Sequence, residues 1–359
     1  MSARTSGQVR VVGTGLLGTS IGLGLAAQGV DVALTDASPS TLALAVDYGA
    51  GRRASADDRP ALVVVAVPPD RTAEVVAAEL AAWPSALVTD VASVKSAPLH
   101  RLLAEGAPVE RYLGSHPMAG RERSGPIAAR ADLFLGRPWV ITPHEASTTE
   151  QAAVLEALAL DLGATPVRLP VERHDDAVAV VSHAPQLVAS LLAARLVDAP
   201  AHATDLAGQG LRDTTRIAAS DPALWVQILS ANADRIVPVL SDLRDDLDAV
   251  LEALDDPDAA GAQRAIADLL AAGNAGVQRI PGKHGADLKL ASLVVLIDDT
   301  PGQLARLLGE IGELGVNLED LRLEHSPGAP IGIVEVQVAP EAAAGLEADL
   351  QQRGWRVAG

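Results

Sequence analysis

Cysteine is absent from the 359-residue sequence. This absence excludes disulfide bridges, thiolate catalysis, iron–sulfur clusters and cysteine-ligated zinc. It also agrees with a reducing compartment, so we expect a cytoplasmic protein. The first ten residues, MSARTSGQVR, carry no apolar segment of the kind that a secretory signal needs.

Aromatic and basic residues are scarce as well. Aromatics make up 2% of the chain, so its cores must be built from small aliphatic side chains. The 28 Lys and Arg residues stand against 46 Asp and Glu residues, which gives a formal net charge of −18. A chain this acidic is a poor binder of nucleic acid or of an anionic membrane surface. The most apolar stretch, residues 177–192, is interrupted by polar residues and falls short of the ~20 apolar residues of a membrane span.

The hydrophobic pattern divides the chain into three parts. Up to about residue 170, short β-branched runs, including 139–142, alternate with helical stretches, which predicts a doubly wound, Rossmann-like parallel sheet. The strand signal then disappears, and long helices are predicted at 175–196, 223–254 and 259–277. The last part has the order βαββαβ of a ferredoxin-like module. We therefore predict domains at 1–170, 171–284 and 285–359.

A glycine-rich motif, GTGLLG, follows the first predicted strand and opens a helix. Gly13 permits a tight turn, Gly15 lets a pyrophosphate approach the backbone, and Gly18 lets the helix pack closely on the strand. The helix that begins at Leu16 and Leu17 points its amide groups at the phosphates. The motif in this context predicts a dinucleotide site.

Asp36 ends the second predicted strand, 18 residues after the motif. A carboxylate there accepts hydrogen bonds from the ribose hydroxyls of NAD and repels the 2′-phosphate of NADP. We therefore expect NAD as the cofactor. Two alternatives stay open: Asp36 only caps a helix or turn, or Arg52 and Arg53 fold back toward the ribose.

Further candidates lie where later strands end, because those ends face the cofactor in such a sheet. Val67 and Pro68 are predicted to line the nicotinamide pocket, or simply to end a strand. Ser93 is predicted at the start of a helix, as its N-cap, as a group that binds substrate and a neighbouring imidazole, or as both.

The heptad GSHPMAG places His116 in a predicted loop of small residues at a strand end. Histidine is the side chain whose ordinary pKa suits proton transfer near neutrality. Glu122 and Arg123 follow, either polarising the same pocket or exposed to solvent. We expect the remaining histidines to be surface or capping residues: His100, His144, His174, His202, His284 and His325.

In combination, GTGLLG, DVASVK, GSHPMAG and GLRDTTRIAASDPALW resemble the prephenate/arogenate dehydrogenase family of tyrosine biosynthesis over residues 8 to about 285. The C-terminal part resembles the ACT domain appended to many bacterial members. The resemblance implies that His116 is the catalytic base on the 4-hydroxyl of the substrate ring. It implies that Ser93 bridges this histidine, the hydroxyl and the nicotinamide.

The resemblance also assigns substrate contacts. Arg216 corresponds to the arginine that binds a substrate carboxylate, although it could instead pair with Asp213 or Asp221, and Arg212 competes for the role. Glu122 corresponds to a gating residue. Trp225 corresponds to a tryptophan that approaches from the partner subunit, unless it packs in the helical core. Other matching positions lie on one helix: Ser182, His183 and Gln186, the last replacing a second substrate-binding histidine.

The implied function is NAD-dependent oxidative decarboxylation of prephenate in a homodimer, without metal, with tyrosine as effector at the ACT domain. Arogenate is the alternative substrate. A β-hydroxyacid dehydrogenase of the same architecture is less favoured, because residues 177–279 lack the lysine that it would use. A non-catalytic NAD- and amino-acid-sensing regulator is the alternative of a different class.

Overall fold

The computed structural model describes residues 3–121, 124–280, 290–325 and 331–358. By contacts the chain forms two compact units. The first comprises Met1–Asp198 and Thr214–Leu243, and the second comprises Ala199–Asp213 and Arg244–Gly359.

The first unit begins with a five-stranded parallel sheet in the order β3-β2-β1-β4-β5. Val9 and Val11 in β1 are fully buried, as expected for strands covered on both faces. The predicted doubly wound α/β fold is thereby confirmed. Its elements are β1 Gln8–Val12, α1 Leu16–Ala26, β2 Val32–Thr35, α2 Pro39–Asp47, β3 Arg52–Arg53, β4 Pro60–Val65, α3 Pro69–Ala82, β5 Leu87–Asp90 and α4 Ser96–Ala104.

A second, three-stranded sheet follows, which corrects one prediction. Residues 139–142 do not extend the parallel sheet. They pair antiparallel with the strand that carries His116, so that His116 lies opposite Val140 and within a strand, not in a loop. The fully buried Trp139 anchors this sheet against Phe134. Its elements are β6 Gly114–Pro117, β7 Pro138–Thr142, α5 Thr149–Asp161 and β8 Thr165–Arg168.

The next segment is helical, as predicted, but two of the predicted helices are interrupted. A π-helical turn, Ala179–His183, precedes Pro185, whose ring cannot fit a regular helix interior. Asn232 interrupts the second helix. The elements are α6 Val171–Val178, α7 Ala184–Ala194, α8 Ala201–Thr204, α9 Gln209–Thr215, the 3₁₀ turn Arg216–Ala218, α10 Pro222–Ala231, α11 Ala233–Asp255 and α12 Ala262–Val277.

The composite helix Val171–Ala194 is long and apolar enough, by length and composition, to cross a membrane. One such helix is weak evidence for a membrane span, because core helices of soluble proteins satisfy the same criteria of length and composition. Here the helix buries His174, Asp175 and His183 against the candidate site described below. That burial favours the interpretation as a core helix.

The C-terminal part forms a four-stranded antiparallel sheet in the order β10-β11-β9-β12. Its core is aliphatic apart from Trp355, over which Arg306 stacks at 4.6 Å. The predicted domain boundary between residues 284 and 285 lies outside the described residues. The elements are β9 Ala291–Asp298, α13 Gln303–Glu313, β10 Asp320–His325, β11 Ile331–Val338, α14 Pro340–Gln352 and β12 Arg356–Ala358, in the predicted order.

Candidate active site

The glycine-rich loop joins β1 to α1, and its three glycines meet different surroundings. A Cβ on Gly13, where φ is +94°, would overlap the carbonyl oxygen of Ala66, and a Cβ on Gly18 would overlap that of Gly13. A Cβ on Gly15 would meet no atom of the chain within 4 Å. Gly13 and Gly18 are therefore required by the fold itself, whereas Gly15 leaves open space at the N-terminus of α1, where a phosphate group fits.

Asp36 follows β2 and faces the same loop. One carboxylate oxygen accepts hydrogen bonds from the amide (2.6 Å) and hydroxyl (2.9 Å) of Thr14, and the other accepts from the amide of Ser38 (2.7 Å). Each oxygen retains acceptor capacity for a ribose hydroxyl. Arg52 does not fold back to this point, because it pairs with Asp31 at 3.0 Å and Asp58 at 2.6 Å.

Val67, Pro68 and Ser93 lie just beyond the carboxyl ends of β4 and β5, at the sheet edge that also carries the glycine loop. Ser93 is half-buried and is not the N-cap of α4, which begins only at Ser96. The first amide groups of α4 are instead bound by the Asp175 carboxylate, at 2.9 Å from Lys95 and 2.8 Å from Ser96. The capping role predicted for Ser93 is therefore wrong, and its hydroxyl is left for other contacts.

His116 lies in β6 with 8% of its surface exposed. Its Nδ1 is 2.9 Å from Nε2 of His174, and Nδ1 of His174 is 2.7 Å from Oδ1 of Asp175. Burial, together with the neighbouring His174 and Lys95, holds the pKa of His116 well below its ordinary value. The imidazole is therefore neutral at neutral pH and able to accept a proton.

The position of His174 corrects the prediction that it is a surface or capping residue, because it is 1% exposed. Asp175 and Asn232 were not recognised in the sequence either. Burial alone would raise the pKa of Asp175, but the hydrogen bonds from His174, Ser96 and Lys95 outweigh it and lower that pKa to about 2. Asp175 is thus an ionised carboxylate inside the protein.

His183 extends this group of residues. The amide nitrogen of Asn232 is 3.0 Å from Nδ1 of His183 and also donates to the carbonyl of Asp175 at 2.9 Å. Burial lowers the pKa of His183 to about 4. We call His116, His174, Asp175, His183 and Asn232 the histidine cluster.

A second buried group holds the other side of β6. Nζ of Lys95 forms an ion pair with Asp90 and donates to the carbonyl of Ser115 at 2.7 Å. The Tyr112 hydroxyl donates to Asp90 at 2.6 Å. Burial lowers the pKa of Lys95 and raises that of Tyr112. We call Asp90, Lys95, Tyr112 and Ser115 the lysine cluster; the sequence analysis assigned none of them.

The predicted substrate residues are only partly brought together. Gln186 is buried on α7 and accepts from the Ser220 hydroxyl at 3.5 Å, next to the turn that carries Arg216. Arg216 is exposed and forms no ion pair with the described residues of its own unit, so the predicted alternative partner Asp221 does not hold it. Ser182 is half-buried in the π-helical turn.

Of three further residues that the sequence singled out, the structure describes one, Trp225. Trp225 is half-buried on α10 and packs edge-on against His183 of its own chain, with ring centroids 6.1 Å apart. Glu122 and Arg123 lie outside the described residues. Within the described ranges, no group of three His, Asp or Glu residues could hold a metal ion.

Comparisons with known proteins identify the family. A family model described as the nucleotide-binding domain of prephenate dehydrogenase matches residues 21–167, and one described as its dimerization domain matches residues 170–267. The chain is 38% identical over 355 residues to the probable prephenate dehydrogenase NovF of Streptomyces niveus, covering 96% of this chain and 98% of that protein.

Two solved structures are similar. The prephenate dehydrogenase of Aquifex aeolicus, in complex with hydroxyphenyl propionate and NAD⁺, aligns with a TM-score of 0.67 at 27% identity, over 77% of this chain and 99% of that one. The arogenate dehydrogenase of Synechocystis aligns with a TM-score of 0.63 at 27% identity, over 76% and 99%. On the family models and the identity to the Streptomyces protein, this chain belongs to the prephenate dehydrogenase family.

Proposed function

We propose that the protein catalyses the NAD-dependent oxidative decarboxylation of prephenate to 4-hydroxyphenylpyruvate, a step of tyrosine biosynthesis. The observation that carries this proposal is His116, a buried neutral imidazole on β6, in a chain of the prephenate dehydrogenase family. Ser93 follows β5 and offers a hydroxyl to the same ring hydroxyl of the substrate.

The glycine loop and Asp36 fit NAD. Gly15 leaves room for the pyrophosphate, Leu16 and Leu17 begin the helix behind it, and the Asp36 carboxylate disfavours a 2′-phosphate. When bound, NAD⁺ supplies the hydride acceptor. Val67 and Pro68 then border the nicotinamide side of the cleft.

The reaction needs one base and one cation from the protein. Nε2 of His116 takes the proton of the C4 hydroxyl while the hydride leaves C4, so that C4 becomes a carbonyl carbon. Loss of CO₂ from C1 then moves an electron pair into the ring, and the resulting phenolate oxygen takes the proton back from His116. Arg216 binds a substrate carboxylate, the geometry for which a guanidinium is best suited.

The remaining roles complete the proposal. Ser182, His183 and Gln186 border the substrate along α7, Trp225 packs beside His183 or approaches a partner's site, and Glu122 gates the pocket. Gln186 can donate a hydrogen bond to the substrate's side-chain carboxylate but cannot carry charge. Arogenate, which has an amino group in place of the side-chain keto group, is the competing substrate. The related Synechocystis protein is named an arogenate dehydrogenase.

Assembly and regulation are proposals of the same kind. The match to a dimerization domain supports a homodimer, and large apolar side chains on the described helices are exposed, among them Leu191, Val226 and Val237. The strand order of the C-terminal sheet supports an ACT-like fold, and we propose tyrosine as the effector that it binds. We propose domains at 1–170, 171–284 and 285–359 in a cytoplasmic enzyme.

The test is NADH formation by the full chain from prephenate and from arogenate, in parallel, with and without tyrosine. We expect activity with prephenate that tyrosine suppresses. Preference for arogenate would replace the substrate. No NADH from either compound would contradict the enzyme assignment and favour the sensor. Activity that is insensitive to tyrosine would remove the proposed regulation.

A further inference from the structure

Three buried side chains form a hydrogen-bonded row that ends at the base of the proposed reaction. Asp175 binds Nδ1 of His174, and Nε2 of His174 binds Nδ1 of His116. His174 and Asp175 are each 1% exposed, so water does not compete for these bonds. They come from α6, whereas His116 comes from β6, so the row joins two separate elements of the fold.

The donors and acceptors of this row allow one arrangement of protons while both rings are neutral. Asp175 is ionised and accepts from the amides of Lys95 and Ser96, so it can only accept from His174. Nδ1 of His174 therefore carries the proton, and its Nε2 is an acceptor. Nδ1 of His116 must then donate to it, which leaves Nε2 of His116 without a proton.

We propose that His174 and Asp175 are positioning residues that hold His116 in the Nδ1–H tautomer, so that its Nε2 faces the substrate hydroxyl as a ready acceptor. This inference rests on the proposed function for its catalytic meaning, but the tautomer itself does not depend on any substrate. The opposite tautomer would place a hydrogen on Nε2 and block proton abstraction. A carboxylate that fixes a histidine tautomer serves the same purpose in serine hydrolase triads.

The same row also stabilises the product of proton transfer. When Nε2 of His116 gains the hydroxyl proton, the imidazolium keeps its Nδ1–H bond to His174, and the Asp175 charge lies one ring away. The other groups that act on His116 are Lys95, before α4, and His183, in the π-helical turn; both disfavour a charged ring. Among these neighbouring groups of the described chain, the Asp175 carboxylate acts in the opposite direction and favours the charged ring.

The first test reads the tautomer directly. The full chain is labelled with ¹⁵N-histidine, and two-bond ¹H–¹⁵N correlations are recorded near neutral pH; the His116 and His174 signals are assigned by their loss in the H116N and H174F variants. We expect the Nδ1–H tautomer for both residues. For His183, whose Nδ1 accepts from Asn232, we expect the Nε2–H tautomer. An Nε2–H tautomer at His116 would overturn the proposal.

The second test separates positioning from mere packing. Gln at position 174 can place its carbonyl oxygen where Nε2 accepts the His116 hydrogen bond, whereas Phe fills the space without an acceptor. We expect His174→Phe to lower kcat at least ~100-fold with little change in KM, the usual size of an acid–base contribution, and His174→Gln to recover most of it. Equal kcat values in the two variants, whether both high or both low, would contradict the inference.

A matched control is His144→Phe, because His144 binds the carbonyl of Tyr112 outside the row. Its kcat is expected to stay near that of the unchanged chain. The two tests also distinguish the failure of this inference from failure of the proposed function. If the tautomers are as expected but the chain oxidises neither prephenate nor arogenate, only the proposed reaction is contradicted. The role of His174 and Asp175 in fixing the His116 tautomer is then retained.

Discussion

The lysine cluster and the histidine cluster both contact strand β6, but the buried polar groups differ. The first cluster contains an ion pair, and the second contains mainly imidazoles. The lysine cluster is a closed ion pair in which Asp90 is bound by Lys95 and Tyr112, and Lys95 also binds the carbonyl of Ser115. The histidine cluster contains one carboxylate, that of Asp175. The lowered pKa values of His116 and His183 keep these two imidazoles uncharged at neutral pH. They meet at Lys95, whose amide binds Asp175.

This difference assigns the two clusters different roles: the lysine cluster stabilises the fold, and the histidine cluster takes part in proton transfer. A buried ion pair tolerates no change in the charge of either member, because the remaining charge would be uncompensated. Buried imidazoles can gain and lose a proton while their hydrogen bonds persist. We therefore expect changes in the lysine cluster to lower stability, and changes in the histidine cluster to alter turnover and pH dependence.

The largest expected effect is that of Lys95→Met. The variant leaves the Asp90 carboxylate buried without its cation, which costs about 3–5 kcal/mol of unfolding free energy. Urea unfolding measures it. The control Arg101→Met, which breaks the solvent-exposed pair with Glu105, should change the unfolding free energy far less, because water screens an exposed pair. Similar losses in the two variants would remove the distinction between the clusters.

The next effect is acid destabilisation through His183. Its pKa in the folded state, about 4, lies below its ordinary value of 6.5, so the unfolded chain binds more protons between these values. The unfolding free energy therefore falls as the pH drops through this window, by up to about 3 kcal/mol.

The variant His183→Asn tests this origin, because its amide oxygen can accept the Asn232 hydrogen bond without titrating. The difference in unfolding free energy between neutral pH and about pH 4 should shrink in the variant by roughly that amount. His116 adds destabilisation of the same sign, so some slope persists. An unchanged pH dependence would show that His183 is not the group responsible.

A smaller effect is expected from Arg216→Ala, which belongs to neither cluster. Loss of a charge-assisted hydrogen bond costs about 1.5–3 kcal/mol, so KM for prephenate should rise about 10- to 100-fold. Stability and NAD binding should be unaffected, because Arg216 is exposed. Steady-state kinetics of Arg216→Ala and of the control Arg212→Ala decide the assignment; a larger KM increase at Arg212 would transfer the carboxylate contact to it.

The smallest effect is that of Gly15→Ala. A Cβ there meets no atom of the chain and the residue has φ of −70°, so the unfolding free energy should stay within about 0.5 kcal/mol. NAD affinity should fall about tenfold, because the added methyl group would occupy the space in which the pyrophosphate is expected to bind. Isothermal titration measures it, with Gly345→Ala on α14 as the control. Unaltered NAD affinity would place the cofactor elsewhere.

The sequence predicted the parallel sheet and the tight glycine turn between β1 and α1 correctly, because these rest on local patterns. It placed His116 in a loop, whereas the structure has it in strand β6. Gly13 and Gly18 sit where a Cβ would overlap backbone carbonyl oxygens, which is a requirement of the local turn. The predicted capping role of Ser93 was wrong. A serine near a helix start suggests a cap, but the Asp175 carboxylate, 80 residues from Lys95 along the chain, binds the first amide groups of α4. The pairing of β6 with β7 is likewise non-local.

His174 and Asp175 were missed because VERHDDAV resembles an exposed, charged helix start. One signal was available: Val171, His174, Asp175 and Val178 have the i, i+3, i+4, i+7 spacing of a buried stripe, and all four are buried. A polar pair in such a stripe predicts a buried polar contact. Asn232 offered no comparable signal, since its partners lie in α6 and the π-helical turn.

The most direct test of the account is the turnover of His116→Asn with prephenate and NAD⁺, together with its NAD affinity and unfolding free energy. We expect kcat to fall at least ~100-fold while the chain folds and binds NAD as before, because only the base is lost. Near-normal turnover in a folded variant would show that the hydroxyl proton leaves by another route, and His116 would no longer be the centre of this site.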